Sequence, residues 1–333
     1  MQKKLSVKEI AEMAGTSVAT VSRVINQNGR FSKTTEKKVK DIIKEYGYQP
    51  NQLARGLRVQ HTQVIGILVP DISNEFFAKI TKEVQKFLLS QHYMTLICST
   101  NENVLEAKEQ LQMLVAQKVS GIIYIGGEDI VESVPIPTIY IDRDPRDMKT
   151  ELDENYAMIE CDNIQGGYLA GQELVKKGSK KIGFVCYGGE FSTTKKRIQG
   201  LKRALEEAGQ ELDMACGVYA EEVSLEAGVK ATEYILNERK EIDGIFYMSD
   251  LLAVGGLGYL KRCNIAVPEQ IRIVGFDDIS IANNTFPRLT TVHQPVEEFG
   301  RLAALRIVDM IHGVDIPQQR QRIPVELIVR ETT

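Results

Sequence analysis

The sequence predicts two parts of different fold class, a small all-α head followed by a larger α/β core with parallel sheets. With 333 residues, the chain is long enough for two or three domains. Residues 1–60 hold 12 Lys and Arg against 5 Asp and Glu, whereas the remaining residues hold 29 and 40. At about Val64 the hydrophobic pattern also changes, from helical spacing to short apolar runs that alternate with amphipathic segments.

The first two predicted helices form a short hairpin. Ser6 and Glu9 have the spacing of a capping box, which predicts that a helix starts there. The apolar residues that follow have helical spacing: Val7, Ile10, Ala11 and Ala14. Gly15 suits a tight turn, and Ser17 suits the cap of a second helix over residues 18–26. This pattern is typical of a helix-turn-helix, and a plain helical hairpin is the alternative.

A third helix is predicted over residues 33–46, with Ser32 as its cap and Gly47 at its end. Val39, Ile42 and Ile43 should face inward. Three helices within fifty residues make a small core of the kind found in DNA-binding modules. The basic charge of this segment favours a polyanionic partner, although a solvated basic surface gives the same charge count.

The second helix is the candidate DNA-reading element. Arg23 can bond guanine bidentately, Asn26 suits adenine or phosphate, and small apolar side chains can contact a thymine methyl group. Thr20 and Ser22 can reach phosphate oxygens. The predicted DNA contacts of the head are Ser6, Thr16, Ser17, Val18, Ala19, Thr20, Ser22, Arg23 and Asn26.

Residues 49–62 are predicted to be a linker that becomes helical when a partner supports it. Pro50 interrupts the chain, Asn51 can cap a short helix, and Arg55 and Arg58 favour phosphate. A leucine on such a helix can wedge into the minor groove of DNA. The predicted contacts here are Asn51, Leu53, Ala54, Leu57 and Arg58, and an ordinary interdomain linker is the alternative.

From Val64 onward, nine or ten apolar strand-like runs alternate with helical patterns, which indicates parallel sheets covered on both faces. Two successive series, which break near residues 142–162, fit two similar lobes better than one very large sheet. A ligand would then bind at the carboxyl ends of the strands. The strand-end residues of interest lie at 71–77, 142–143, 249–250 and 277–278.

Several functional classes find no support in the sequence. There is no GxSxG elbow, Walker loop or HExxH motif, so we expect no enzyme, and nothing indicates a cofactor or a metal site. The Gly-rich run at 255–258 falls in a helical pattern, where close helix packing is a better interpretation than a phosphate loop. The five scattered cysteines are expected to be buried thiols. No apolar stretch suggests a signal peptide or a membrane helix, so we expect a cytoplasmic protein.

The motifs taken together resemble the LacI/GalR family of bacterial repressors. The similarity lies in residues 6–26, in the run 47–58 and in the segments 65–74, 275–278 and 290–295. It extends from about residue 5 to the end of the sequence. A pure transport protein with the same core would leave the first sixty residues unexplained.

The resemblance implies a specific domain organisation: a helix-turn-helix domain (1–48), a hinge helix and linker (49–62) and a two-lobed core (63–333) of the type I periplasmic-binding-protein-like fold. The implied first lobe comprises about 63–160 and 293–320, and the second about 161–292 and 321–333. In the family, the position of Leu57 enters the minor groove, and Val18, Ala19 and Arg23 match base-reading positions.

The resemblance also implies ligand-binding positions in the core: Asn74, Phe76, Phe77, Asp142, Arg143, Arg197, Ser249, Asp250, Asp277 and Gln294. Arg197 and Asp277 are expected to grip vicinal hydroxyls from two sides. The alternative role of Phe76 and Phe77 is to pack in the hydrophobic core without touching a ligand. The alternative role of Asp277 is to cap a helix.

Two departures from the family pattern affect the ligand prediction. Many members carry Asn where this chain has Ser249, and Val223 stands where some relatives have an aromatic residue. The absence of that aromatic residue argues against a purine ligand.

The resemblance as a whole predicts a repressor that binds a palindromic operator as a homodimer. A small metabolite, a sugar or a sugar phosphate, is expected to control this binding. A regulator of this family that also needs a protein co-regulator is the alternative, but the sequence does not indicate such a partner.

Overall fold

The computed structural model describes residues 5–25, 28–48, 62–126, 134–143, 155–188, 191–239, 241–316 and 318–333. The chain divides into two compact units, one that ends at Thr62 and one that begins at Gln63. The described residues of the first unit form three helices, and those of the second form two mostly parallel sheets flanked by helices. This arrangement confirms the predicted fold class.

The head consists of helices α1 (Val7–Ala14), α2 (Val18–Ile25) and α3 (Lys33–Tyr46). Ser6 and Glu9 form the predicted capping box, and Gly15 ends α1 with a φ of 63°. Among the described residues of the head, a buried core combines side chains from all three helices: Ile10, Ala11, Ala14, Val21, Val24 and Val39. The apolar spacing of the sequence thus produces a small three-helix core.

The first sheet of the core has the order β11-β5-β4-β3-β1-β2, and all its strands are parallel. The strands are β1 (Val64–Val69), β2 (Met94–Ser99), β3 (Gly121–Ile125), β4 (Thr138–Ile141), β5 (Tyr156–Cys161) and β11 (Arg320–Ile323). Its helices are α4 (Glu75–Ser90), α5 (Val104–Ala116) and α10 (Val296–Ile311). We call this assembly the first lobe.

The second sheet has the order β12-β10-β9-β8-β6-β7, and only the β10–β12 pair is antiparallel. The strands are β6 (Ile182–Tyr187), β7 (Gly217–Ala220), β8 (Gly244–Tyr247), β9 (Arg272–Asp277), β10 (Thr290–His293) and β12 (Glu326–Ile328). Its helices are α6 (Asn163–Lys176), α7 (Ser192–Glu207), α8 (Leu225–Glu238) and α9 (Asp250–Arg262). We call this assembly the second lobe.

The chain passes between the lobes three times: after β5, after β10 and after β11. The predicted lobe boundaries at residues 160 and 320 fall inside strands, because β5 runs on to Cys161 and β11 runs on to Ile323. The pairing of these two strands with each other extends the first sheet to the crossing points. The crossings therefore follow Cys161 and Ile323.

Glycines allow the helices of the second lobe to pack closely. A Cβ atom at Gly200 of α7 would lie 2.0 Å from the Ile164 carbonyl oxygen of α6. In the Gly-rich run of α9, a Cβ at Gly255 would lie 2.1 Å from the Leu225 carbonyl oxygen, and one at Gly256 would meet the Tyr247 hydroxyl at 2.3 Å. Close helix packing, rather than a phosphate loop, accounts for this run.

The five cysteines are free thiols, and their burial differs. Cys161, Cys186 and Cys216 are buried, and burial raises the pKa of Cys186 to about 12. Cys98 is half-buried and Cys263 is exposed at the end of α9. The expectation of five buried thiols is therefore wrong for Cys263, which ends an amphipathic helix on its solvent side.

Candidate functional site

A cleft of about 550 Å³, part of it open to solvent, lies where the carboxyl ends of strands from both lobes meet. Sixteen described side chains line it: Asn74, Phe76, Phe77, Glu102, Asp142, Arg143, Tyr187, Phe191, Thr193, Thr194, Arg197, Val223, Met248, Ser249, Leu252 and Asp277. The first six belong to the first lobe and the others to the second. A concave site with aromatic walls and a few polar groups is the usual form of a small-molecule site.

Asn74, Phe76 and Phe77 lie where the first helix of the first lobe begins. The Asn74 side chain accepts a hydrogen bond from the Phe76 amide at 3.0 Å and so caps α4. The rings of Phe76 and Phe77 meet edge to face with their centroids 5.4 Å apart. Both rings are largely buried, so these residues belong to the core and also form a wall of the cleft.

Asp142 and Arg143 follow β4 and line the cleft from the first lobe. Asp142 has a left-handed backbone with a φ of 76°, a conformation that non-glycine residues adopt at a cost. Its Oδ1 atom is buried and has no hydrogen-bond partner among the described residues. The Arg143 guanidinium lies 3.3 Å from a carboxylate oxygen of Glu102 and 3.9 Å from the ring centre of Phe191. Arg143 therefore spans the cleft from the first lobe to the second.

Arg197 lies on α7 in the second-lobe wall and is only 7% exposed. Its Nε donates to Oδ1 of Asn163 at 2.7 Å, and its Nη1 donates to the Met248 carbonyl oxygen at 2.7 Å. The guanidinium also stacks over the ring of Phe276, 3.6 Å from the ring centre. These contacts hold the guanidinium in one orientation at the cleft wall.

Asp277 ends β9 on the same wall, with a φ of 117°. Protein atoms enclose its carboxyl group, and this enclosure, opposed by the charge of Arg197, raises the pKa of Asp277 to about 7. The Gln294 side chain donates to the Asp277 carboxylate at 2.8 Å. The next helical turn, Ser280–Asn283, has Ile279 as its cap position, so a cap role for Asp277 is not observed.

Asp250 and Gln294 lie behind the cleft wall and do not line the cleft. Asp250 is fully buried, where it accepts hydrogen bonds from the Thr291 hydroxyl at 2.6 Å and the Ile279 amide at 2.9 Å. Burial, reinforced by the charge of Asp277, raises the pKa of Asp250. These residues support the Asp277 loop, because Asp250 anchors it at Ile279 and Gln294 bonds its carboxylate.

The structure therefore brings eight of the ten predicted ligand positions together in one cleft. It also adds residues that were not predicted, including Glu102, Tyr187, Phe191 and Met248. Glu102 follows β2, Tyr187 ends β6, and Met248 follows β8. The rule that strand ends point to the ligand would have identified these positions if it had been applied to every strand.

The second helix of the head displays a mixed surface. Ala19 and Arg23 are exposed, whereas Thr16, Val18, Thr20 and Ser22 are half-buried. The Ser17 hydroxyl accepts a hydrogen bond from the Thr20 amide at 3.1 Å, as predicted for a helix cap. Val18 packs against the small core of the head. The remaining predicted DNA contacts, namely Asn26, Asn51, Leu53, Ala54, Leu57 and Arg58, lie outside the described residues.

The comparisons with known proteins agree with both parts of the chain. A profile described as "Bacterial regulatory proteins, lacI family" matches residues 6–51, and a "Periplasmic binding protein-like domain" profile matches residues 172–333. A ribose operon repressor from Halalkalibacterium halodurans is 32% identical over 332 residues, which cover 98% of this chain and 97% of that protein. The chain belongs to the LacI family of bacterial regulators. The resemblance that the motifs suggested is thereby confirmed.

Solved structures of LacI-family regulators share the fold over the whole chain. A transcriptional regulator CelR in complex with cellobiose is 28% identical and superposes with a TM-score of 0.75, covering 99% of this chain and 100% of that one. The Lac repressor dimer bound to operator and an anti-inducer superposes with a TM-score of 0.85 at 22% identity, covering 99% of each chain. This LacI-family protein is thus a DNA-binding transcriptional regulator, and its relatives are regulators and not enzymes.

The described part of this LacI-family chain contains neither a helix suited to a membrane nor a cluster of side chains suited to a metal ion. None of its helices is long and apolar enough to cross a membrane. No group of three or more His, Cys, Asp or Glu side chains has a geometry suited to a metal ion.

Proposed function

We propose that this protein is a repressor that binds a palindromic operator as a homodimer and that a small uncharged sugar in the cleft controls this binding. The observation that carries the proposal is a family-typical head joined to a core whose cleft contains buried polar atoms without partners. Among the described residues that line the cleft, Oδ1 of Asp142 and Nε of Arg143 have none. Such groups are costly to bury, and a polyhydroxylated ligand supplies donors and acceptors together.

The charges of the cleft favour an uncharged sugar over a sugar phosphate. The cleft contains the carboxyl groups of Glu102, Asp142 and Asp277 against the guanidinium groups of Arg143 and Arg197. Arg143 is already paired with Glu102, and Arg197 already donates from Nε and Nη1 to protein oxygens. A phosphate would therefore meet the carboxyl groups of Asp142 and Asp277 beside a single guanidinium, that of Arg197, whose hydrogen-bond partners in the protein are neutral oxygens.

Each site residue has a proposed role in this function. In the cleft, the aromatic rings of Phe76 and Phe77 would pack on the ligand, and Asp142, Arg197 and Asp277 would bond its hydroxyls. The other proposed contacts are Asn74, Arg143 and Ser249, with Gln294 and Asp250 in support. On the DNA side, Arg23 would read a base, and the remaining predicted residues of the head and hinge would contact the operator.

The names of two relatives support a sugar. One relative is a ribose operon repressor, and the CelR structure holds cellobiose. Carboxylates in the cleft would accept hydrogen bonds from sugar hydroxyls, so we propose binding without catalysis. We also propose that the protein acts in the cytoplasm, where its operator would be found.

A thermal-shift screen tests the proposal. The panel contains D-ribose, sucrose, cellobiose, ribose 5-phosphate and hypoxanthine. A ligand that binds only the folded core at one hundred times its Kd adds about 2.7 kcal/mol of stability. We expect a shift with an uncharged sugar and none with the phosphate, and Asp142→Asn should abolish the shift. A shift with ribose 5-phosphate alone, or a sugar shift that survives in Asp142→Asn, would contradict the proposed ligand class.

A further inference from the structure

The two lobes also meet through a contact that lies beside the cleft and that the ligand prediction did not include. Glu75 is the first residue of α4 in the first lobe, and Ser280 lies in a short helical turn of the second lobe. The Ser280 amide donates to Oε1 of Glu75 at 2.8 Å, and the Ser280 hydroxyl donates to Oε2 at 2.6 Å. One carboxylate thus receives two hydrogen bonds from the other lobe.

Both partners of this contact are held in place within their own lobes. On the first-lobe side, Asn74 caps the helix that begins with Glu75, and the Lys79 ammonium lies 2.6 Å from Oε1 of Glu75. Partial burial raises the pKa of Glu75, but the bonds from Lys79 and Ser280 lower it by more, so the group is a carboxylate at neutral pH. Hydrogen bonds to an ionised acceptor are stronger than those between neutral groups.

The second-lobe side is anchored to a buried residue. The amide of Ile279, which precedes Ser280, donates to the buried carboxyl group of Asp250 at 2.9 Å. The Asn284 side chain donates to the Ser280 carbonyl oxygen at 2.7 Å. A separation of the lobes at this point therefore has to break the bonds to Glu75, because neither partner is free to follow the other.

The contact is placed where ligand binding and lobe closure coincide. Glu75 lies between Asn74 and Phe76, which both line the cleft, and Ser280 follows Asp277 by three residues. We propose that Glu75 and Ser280 form a clamp that holds the lobes closed. The apparent affinity of a ligand then depends on the clamp, because it falls with the fraction of molecules in the binding-competent state. This effect on ligand affinity rests on the proposed function of the cleft.

Hydrogen exchange of the full-length protein without ligand tests the clamp. In Glu75→Ala we expect exchange on the order of tenfold faster at the Ser280 amide, and faster exchange also in segment 192–197, which lies in the second-lobe wall of the cleft. Lys79→Met is the matched control, since it removes the partner of Glu75 within the helix and leaves Ser280 in place. Glu75→Gln keeps the shape of the side chain and should give an intermediate result even if the alanine variant folds poorly.

Each outcome of this experiment is decisive. Faster exchange at Ser280 and in the cleft segment of Glu75→Ala, but not of Lys79→Met, supports the clamp. Faster exchange at Ser280 alone shows a local bond that does not hold the lobes and overturns the proposal, as does unchanged exchange at Ser280. Because no ligand is used, this result does not depend on whether a sugar binds. With D-ribose, sucrose or cellobiose as the probe, whichever binds, the clamp predicts roughly threefold weaker apparent binding in Glu75→Ala.

Discussion

The Lys196 ammonium lies 2.7 Å from a carboxylate oxygen of Glu160, and this ion pair joins helix α7 of the second lobe to strand β5 of the first. Arg320 of β11 donates to the other carboxylate oxygen at 2.9 Å. Glu160 is buried and immediately precedes Cys161, after which the chain first crosses between the lobes. Lys196 adjoins Arg197 of the cleft. The ion pair therefore connects the crossing point with the helix that forms one cleft wall.

Glu160→Gln should destabilise the core by about 3 kcal/mol, because it leaves cations without their buried partner. Burial raises the pKa of Glu160, but the hydrogen bonds and charges of Arg320 and Lys196 lower it by more. The stability from this group is therefore present above its ordinary pKa and is lost as pH falls through the lowered pKa. Urea unfolding should show the variant approaching the wild type in strongly acidic buffer.

The matched control is Glu206→Gln on α7, the helix that carries Lys196. Glu206 pairs with Lys202 at 3.7 Å on the surface, and both side chains are more than half exposed. Its substitution should change the free energy of unfolding by less than about 1 kcal/mol. Equal losses in the two variants would show that the buried pair has no special contribution.

Asp277→Asn should change how stability depends on pH. The pKa of Asp277 is raised from 3.8 to about 7 in the folded protein, so between these values the folded state holds a proton that the unfolded state has lost. Stability of the wild type should therefore fall as pH rises across this window. The asparagine variant lacks this loss. Above the window, its free energy of unfolding should exceed that of the wild type by about 2–4 kcal/mol. Parallel pH profiles of the urea midpoint would refute the raised pKa.

Gly200→Ala should destabilise the second lobe by about 2 kcal/mol or more, because the new methyl group would collide with the backbone of α6. Gly258→Ala in α9 is the matched control. Its Cβ would meet only the end of Arg262, at 3.7 Å, so helix propensity should raise stability by up to about 1 kcal/mol. Thermal unfolding of both variants gives opposite signs if close packing explains Gly200. A gain in both would show that the helices can separate without cost.

Arg23→Ala should reduce operator binding by about 1–3 kcal/mol at one base position. Arg23 is exposed on α2, and its substitution leaves the core of the head intact. Binding to a library of operator variants measures the effect position by position. A uniform loss over all sequences would identify Arg23 as a phosphate contact instead of a base reader.

Leu57→Ala should reduce operator bending and affinity while the core keeps its melting temperature. Leu57 lies outside the described residues, and the expectation rests on the wedge role that the family resemblance implies. Gel-shift measurements with permuted operator positions report the bend. Unchanged bending with reduced affinity would contradict the wedge.

The local pattern of the sequence was sufficient to predict most of the secondary structure. Helix α3 occupies the predicted residues 33–46, and the alternation of strands and helices begins with β1 at Val64, as predicted. Capping residues, glycine ends and apolar periodicity act over a few residues, so they can be recognised without the fold. The short strands β10, β11 and β12 carry no comparable pattern, because their positions depend on pairing with distant strands.

The sequence by itself determined the family, the all-α head, the two-lobed core and half of the residues that line the cleft. Only the tertiary structure decided which groups meet. It placed Asp250 and Gln294 behind the cleft wall, stacked Arg143 on Phe191, and joined Glu75 to Ser280. The physical reason is that these contacts link residues far apart in the chain. Their distances follow from how the lobes pack and not from any local preference of the residues.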